Sequence, residues 1–398
     1  MTLASVDDAQ RLAIELATPL RTELVVLREG AMRRSAKHIH AGIDLPGHDV
    51  SIMDGWACTL PTAHAGTARV VGESAAGHPF DGMVGVGEAV RISTGAVVPA
   101  GAELVILQED TVRTGDALAF AATEIASATV GQHIRPRASD VRAGMPLVRP
   151  GDVLGPARLA LIAAVGASLV EVCRRPRVAI LCTGDELTPI GEHPPRGGVI
   201  GTNDLMLAVM CMQAGAEVVA SETVGDDADV LEAALERAFA AADVVITSGG
   251  ASVGDHDHVR DAAKRRDIVY WGVALRPGKP TGLVRTSGGL WFALPGNPAS
   301  TFVTFELFVR PVLAKQSGAL GDPRRPLVEM VALADFAGDR TREHWARAVV
   351  QPGGVAPAPD QRSGSLGSLA AADALVRIER GRERVAAGER VQVMATDS

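Results

Sequence analysis

Arg177-Val178-Ala179-Ile180-Leu181-Cys182-Thr183-Gly184-Asp185-Glu186-Leu187 decides the reading of this chain. The short apolar run from Arg177 to Cys182 suits a buried strand, and it passes directly into a polar turn that holds a glycine. The same pattern recurs downstream, with strands expected at Ala216 to Ser221, Asp243 to Thr247, Ile268 to Val273, Thr281 to Arg285 and Leu290 to Leu294. Helical patterns near 203 to 214, 227 to 241, 256 to 266 and 299 to 316 lie between them. This alternation is the signature of an α/β unit, a doubly wound, mostly parallel sheet covered on both faces. Gly215 stands where a left-handed residue closes the first helix, and Asp226 where an N-cap opens the second.

In an open parallel sheet, ligands settle beyond the carboxyl ends of the strands. Five polar clusters fall there: Thr183 to Leu187, Val224 to Asp227, Ser248 to Asp255, Arg276 to Pro280 and Leu294 to Pro298. All five are predicted to line one rim, which makes Thr183, Gly184, Ser248, Gly249, Gly250, Ser252, Pro295, Asn297 and Pro298 candidate substrate-binding residues. The three glycines between Ser248 and Gly254 let the backbone offer N–H groups to an anion, although a plain turn has the same composition. The segment lacks the G-K-[ST] of a P-loop and the G-x-G-x-x-G of a dinucleotide site, which disfavours a nucleoside triphosphatase or a nicotinamide enzyme. Arg276 and Lys279, on a loop stiffened by Pro277 and Pro280, present two cations suited to an oxyanion. Glu186, Asp226 and Asp257 would repel that anion, so a divalent cation with oxygen ligands, Mg²⁺, is expected to reconcile the two. N-capping by Asp226 is compatible with that role, and His256 and His258 read as a solvated helix start.

Outward from this region the character changes. Residues 5 to 17 read as an amphipathic helix with Ser5 as N-cap, able to cover a core or a partner. From about Val50 to Ile134 short β-rich runs (Ala68 to Val71, Glu88 to Ile92, Glu103 to Gln108) are broken by glycine and proline. Leu159 to Val172 suggests a helix and then a strand, and short strands return after Pro326. Two turn-prone stretches, Ser51 to Ala57 and Arg91 to Ala96, place Asp54 and Thr94 beside glycines, a composition that a tight turn explains by itself.

The 39 basic residues are scattered among 47 acidic ones, so a broad phosphate-binding surface, and with it nucleic acid, is disfavoured. Asp7, Asp8 and Arg11 break any secretory pattern, and the apolar run Leu159 to Val170 is shorter than the roughly 20 residues a bilayer span needs. No membrane association and a soluble, cytoplasmic protein are therefore expected. Cys58, Cys173, Cys182 and Cys211 form no C-x-x-C pair and read as buried free thiols.

Taken in order, SIMDGWA (51–57), RISTGAVVPAGAELVILQED (91–110), HIRPRASD (133–140), RPRVAILCTGDEL (175–187), TSGGASVGDHD (247–257), RPGKP (276–280) and LPGNPAS (294–300) resemble the MoeA family, the bacterial counterpart of the gephyrin E domain. The resemblance runs from Asp44 to about Gly388. It implies an elongated homodimer of four-domain subunits. The domains would be 1–48 with 138–174 for linkage and dimerisation, a β-rich 49–137, the α/β domain 175–322, and a β-barrel-like 323–398. It implies that Asp54, Thr94 and Asp140 of one subunit face Glu186, Asp226 and Asp257 of the other, and that these acids are catalytic. Arg276, Lys279, Arg347 and Ser363 match positions associated with molybdate or the terminal phosphate, and Pro295 and Pro298 shape the adjoining loop. The implied reaction is that of a molybdopterin molybdenumtransferase: molybdate enters adenylated molybdopterin and AMP leaves, with Mg²⁺ assisting. Transient contacts with a molybdopterin adenylyltransferase and apo-molybdoenzymes follow. The chain departs from the family pattern at Arg276, where lysine is usual, at Ala138-Ser139, where Gly-Glu is usual, and at Trp56, where tyrosine is common.

Two other readings compete. A molybdopterin adenylyltransferase needs only a domain like 175–317, and the surrounding β-rich segments oppose it. A non-catalytic scaffold of the gephyrin E-domain type is opposed by the acidic rim.

Overall fold

A computed structural model describes residues 3 to 250 and 258 to 396. In the strand Arg177–Thr183, Val178, Ile180 and Cys182 face one side while Ala179 and Leu181 face the other, and all five are buried. Two-sided burial of a strand requires a layer of helices on each face. Asn203–Gln213 and Pro298–Thr304 cover the first face, and Ala228–Ala241 and His258–Lys264 the second.

The sheet has six strands, ordered Glu217–Val224, Arg177–Thr183, Val244–Ser248, Leu290–Leu294, Gly282–Arg285 and Asp267–Trp271. The first four are parallel, and Gly282–Arg285 is antiparallel to both its neighbours. Only Thr286 to Gly289 separate it from the next strand, too few residues for a parallel crossover, so a hairpin forms. From Arg177–Thr183 the chain moves outward to Glu217–Val224, then returns to Val244–Ser248 on the opposite side. The connections diverge at that point and leave a crevice beyond Thr183 and Ser248.

Gly215 closes its helix at φ +83°, as its place in the sequence demands. The cap of the following helix is Asp227 rather than Asp226: its Oδ1 accepts the N–H groups of Asp229 and Val230, both at 2.9 Å. The carboxylate of Asp226 is thereby left for the crevice. The helix expected over 299 to 316 is present, with a π-helical turn at Phe305–Val309 ahead of Arg310–Gln316. Pro311 has no N–H for the carbonyl of Leu307, and Gln10 Nε2 donates to that oxygen instead, at 3.0 Å. Gln10 belongs to the N-terminal helix Val6–Leu16, capped by Ser5, which packs Val6, Ala9 and Ala13 into the core of the central domain.

Two further six-stranded assemblies flank this domain. Leu104–Leu107, Gly55–Cys58, Glu88–Ile92, Thr67–Ser74, Ala117–Phe120 and Thr111–Thr114 form one curled sheet. In the other, Glu343–Gln351 pairs with Ala374–Ile378 and, in parallel, with the two-residue strand Leu275–Arg276. The pair Thr22–Val26 and Leu169–Cys173 joins the N-terminal segment to the entry of the central domain. Among the described residues no helix is long and apolar enough to cross a membrane. All four cysteines are free and buried.

Ala138 sits at φ +58°, a conformation that costs an alanine about 1–2 kcal/mol against roughly 0.5–1 kcal/mol of chain entropy for a glycine there. Ala138→Gly is therefore expected to raise the unfolding free energy by about 0.5–1 kcal/mol in urea denaturation. An unchanged or lower midpoint would contradict this.

Candidate active site

Thr183 and Ser248 end neighbouring parallel strands, and beyond them opens a cleft of about 880 Å³. Four of the five loops predicted to share a rim line it directly, through Thr183, Gly184, Glu186, Asp226, Ser248, Gly249, Gly250, Pro295, Asn297 and Pro298. The fifth reaches it only through Pro280. Gly249, at φ +105°, lies so close to the strand end that a Cβ would stand 2.4 Å from the carbonyl oxygen of Thr183. Both the backbone angle and the space exclude any larger residue there. Ser252 and Asp257 lie outside the described residues.

The side chain that gathers these loops was not singled out from the sequence. Asn203, at the start of its helix, donates through Nδ2 to Ser248 Oγ at 2.9 Å and to the Gly296 carbonyl at 2.7 Å. Thr301 Oγ1 donates to the Pro295 carbonyl at 2.6 Å and completes the clamp. On the opposite wall Asp185 Oδ1 accepts the N–H of Asp226 at 2.9 Å and so joins the first two loops. Asn203, directly after Gly201-Thr202, carried only a helix-start signal in the sequence, and Asp185, after Thr183-Gly184, only that of a polar turn. Their targets are 45 to 98 residues away along the chain for Asn203 and 41 for Asp185.

The charge balance is one-sided. Glu186, Asp204 and Asp226 line the cleft, and among its described lining residues there is no lysine or arginine. Lys279 lies exposed on the adjoining loop, beside Pro280. Arg276 departs from expectation: it belongs to the strand Leu275–Arg276 in the C-terminal sheet, where its guanidinium stands 4.0 Å from Asp339 and 3.4 Å from the Gly338 carbonyl. Cys182 lines the cleft, but burial first and the nearby Asp204 second push its thiol up to about 12, so it is no thiolate nucleophile. No group of three or more His, Cys, Asp or Glu among the described residues is close enough to cage an ion. The exposed carboxylates of Glu186 and Asp226 suit Mg²⁺, which is commonly held by one or two carboxylates together with substrate phosphates.

Comparison with known proteins places this geometry. Family models match residues 4–166 as the MoeA N-terminal region (domains I and II), 179–315 as a probable molybdopterin binding domain, and 329–396 as the MoeA C-terminal region (domain IV). A protein of Mycobacterium tuberculosis named molybdopterin molybdenumtransferase 2 is 35% identical, covering 98% of this chain and 99% of its own. The chain belongs to the MoeA family. A Staphylococcus aureus molybdopterin molybdenumtransferase is 30% identical over 94% of this chain and 91% of its own. The crystal structure of a molybdopterin biosynthesis MoeA protein from Pyrococcus horikoshii superposes with a TM-score of 0.81 at 27% identity, covering 99% of this chain and all of that one.

Other residues singled out by the MoeA resemblance lie elsewhere on the chain. Asp54 and Thr94 form a pair: the Thr94 N–H and hydroxyl both donate to Asp54 Oδ1, at 2.6 and 2.9 Å, and these two bonds, with Arg91 nearby, hold the Asp54 carboxyl below its ordinary value. Asp140 is bound by Arg135 at 3.0 Å, on the strand that pairs with Val50–Ser51 just before Asp54. None of these three lines the cleft of its own chain. Trp56 is buried between the guanidinium groups of Arg91 and Arg113, each 5.5 Å from its ring, and donates to Thr111 Oγ1. Ser363 is half-buried in the loop whose Gly364 and Leu366 reach the cleft, and its carbonyl accepts the Ala299 N–H at 3.0 Å. Arg347, expected beside the anion, is instead only 1% exposed. It donates to the carbonyls of Asp360 and Arg362 at 2.6 and 2.9 Å and to Ser368 Oγ at 3.2 Å. It buttresses the Ser363 loop from behind.

His344 lies against this group, with Nδ1 donating to the Ala337 carbonyl at 2.6 Å. Burial, helped by Arg276, depresses its pKa to about 4, while the Ala337 bond opposes the shift. Below the unfolded value near 6.5 the unfolded chain takes up a proton that the folded chain refuses. Stability is therefore full above about pH 6.5 and declines as the pH falls toward 4. His344→Gln is expected to flatten that decline in denaturation midpoints recorded across the window, and an equally steep decline would refute the assignment.

Proposed function

We infer that this chain is a molybdopterin molybdenumtransferase, joining molybdate to adenylated molybdopterin with release of AMP. The observation that carries the reading is the cleft at the divergence point of the central sheet, acidic and with no lysine or arginine among its described lining residues, in a chain that aligns end to end with proteins of that name. Glu186 and Asp226 would hold Mg²⁺ through their carboxylate oxygens, and when bound the ion supplies polarisation of a phosphoryl oxygen. Asn203, Asp185 and Arg347 hold the loops, so that reacting groups meet without a search in orientation. Lys279, on the adjoining loop, supplies positive charge toward an anion. Ser252 and Asp257 complete the rim in this reading, and the cytoplasm is the compartment in which we place the reaction.

We further propose that the functional unit is a homodimer, divided along the four segments stated above, in which Asp54, Thr94 and Asp140 of one subunit complete the cleft of the other. Two observations support it: these residues do not reach the cleft of their own chain, and Leu205, Val209 and Met212 form an exposed apolar stripe on one helix. Incubation of the purified protein with adenylated molybdopterin, molybdate and Mg²⁺ should release AMP and activate an apo-molybdoenzyme, and no release would sink the function. Mixing Asp54→Asn with Glu186→Gln protomers should restore roughly a quarter of native activity, since half the random pairs are mixed and each holds one intact site. Failure to complement would sink the shared site alone.

A further inference from the structure

A second cavity, of about 360 Å³, lies where the strand pair Thr22–Val26 and Leu169–Cys173 meets the central domain. Arg33, Arg34 and Cys173 reach it from the side of that pair, and Arg175 with the turn Met212 to Gly215 from the other. Arg175 stands just before the strand Arg177–Thr183, whose far end forms the cleft, so seven strand residues, roughly 20 Å, separate the two sites.

Three guanidinium groups share this space, and few of their N–H groups are used. Arg33 Nη2 donates to Glu23 and to the Cys173 carbonyl, and Arg34 Nη1 to the Gly151 carbonyl. Arg175 donates to the carbonyls of Ala31 and Gly215 at 3.2 and 3.4 Å. Nε and Nη2 of Arg34 and Nε of Arg175 make no hydrogen bond, and unlike the covered Nε of Arg33 they keep accessible surface. Glu23 forms an ion pair with Arg33, but neither Arg34 nor Arg175 forms one among the described residues, and Glu217 acts on Arg175 only from farther off. Cys173 supplies no counter-charge, because burial raises its pKa against the pull of Arg33 and Arg34. Burial also lowers the pKa of Arg34 and of Arg175, with Arg33 adding to the second, yet an arginine keeps its proton. Positive charge half-buried without an anion is destabilising, and forked N–H donors suit an ion with several oxygens.

We propose that Arg34 and Arg175, with Arg33 as fixed charge behind them, bind a small doubly charged oxyanion, phosphate or molybdate, at this junction. Such a dianion matches the charge left uncompensated and accepts from both sides of the cavity at once, so it ties the N-terminal strands to the central domain. The carboxyl end of the helix Asn203–Gln213 opposes an anion, but that effect is short-ranged and Arg175 already engages the Gly215 carbonyl there. The site is separate from the cleft and does not depend on the function proposed above.

The test is isothermal titration of the full-length protein with inorganic phosphate, and separately with molybdate, at fixed low ionic strength, with chloride as the monovalent control. The molybdate arm is read in Lys279→Gln protein, so that the cleft adds no second event. Saturable binding of a dianion is expected, with a thermal midpoint that rises once its concentration passes Kd, and no such response to chloride. Arg34→Gln and Arg175→Gln should each weaken binding about tenfold, the factor for one hydrogen bond between charged partners, whereas Lys279→Gln should leave phosphate binding unchanged. Arg34→Lys keeps the charge and loses the fork; it should weaken binding severalfold and serves if a glutamine variant does not fold. A tighter fit of phosphate or of molybdate names which of the two the site takes. No binding of either dianion, an equal response to chloride, or binding that survives both glutamine variants overturns the proposal.

Discussion

Glu186→Gln and Asp226→Asn are each expected to slow AMP release by about 10²- to 10³-fold, the loss of roughly 3–4 kcal/mol of charge stabilisation in the transition state. Both side chains are exposed in the cleft, and the backbone of the Asp226 loop is held by other carboxylates: Asp227 caps the helix and Asp185 accepts the Asp226 N–H. The thermal midpoint should therefore remain within the roughly 0.5 kcal/mol typical of surface changes. Single-turnover rates at increasing Mg²⁺ report the role: a requirement for far more metal identifies a ligand, whereas a slow rate at saturating metal identifies a group acting on water or substrate. Full activity in both variants would return the scaffold reading to first place.

Arg347→Ala should act in the opposite way, through stability. The guanidinium satisfies two carbonyls and a hydroxyl in a site from which water is excluded, and removing it orphans those acceptors at about 1–3 kcal/mol each, less what relaxation recovers. A loss of roughly 3–5 kcal/mol of unfolding free energy is expected, with KM rising more than kcat falls as the loop from Asp360 to Gly364 is released. Arg347→Lys should rescue little, because one ammonium cannot span three acceptors in a plane. If Arg347 instead bound the anion directly, the alanine variant would lose turnover and keep its midpoint.

Glu186 and Asp226 on one side and Arg347 on the other mark the boundary between what could be read along the chain and what could not. Every strand and helix expected between 177 and 316 is present among the described residues, with ends shifted by up to three positions. Apolar runs, glycine turns and caps act over a few residues, so their consequences are visible locally. The rim followed as well: once the strands were parallel, four of the five loops had to meet at one end. The assignment of the cap to Asp226 failed by one residue, since two adjacent aspartates offer the same signal and only backbone angles choose between them.

Cation placement failed for a different reason. Arg276 was read as a group on a free loop, yet Leu275–Arg276 adds to a sheet whose next strand begins at Glu343, and Arg347 was read as ligand-facing, yet it is buried. An arginine's sequence neighbours do not reveal which carbonyls it will meet. Composition and periodicity alone thus determined the central sheet, its crevice and the acidic character of the rim, because each depends on contacts within a turn or a strand. Only the tertiary structure decided that Asn203 ties the loops and that the Arg347 guanidinium is engaged by the Asp360 and Arg362 carbonyls. Hydrogen-bond partners separated by 13 to 98 residues are chosen by packing, and no local pattern encodes that choice.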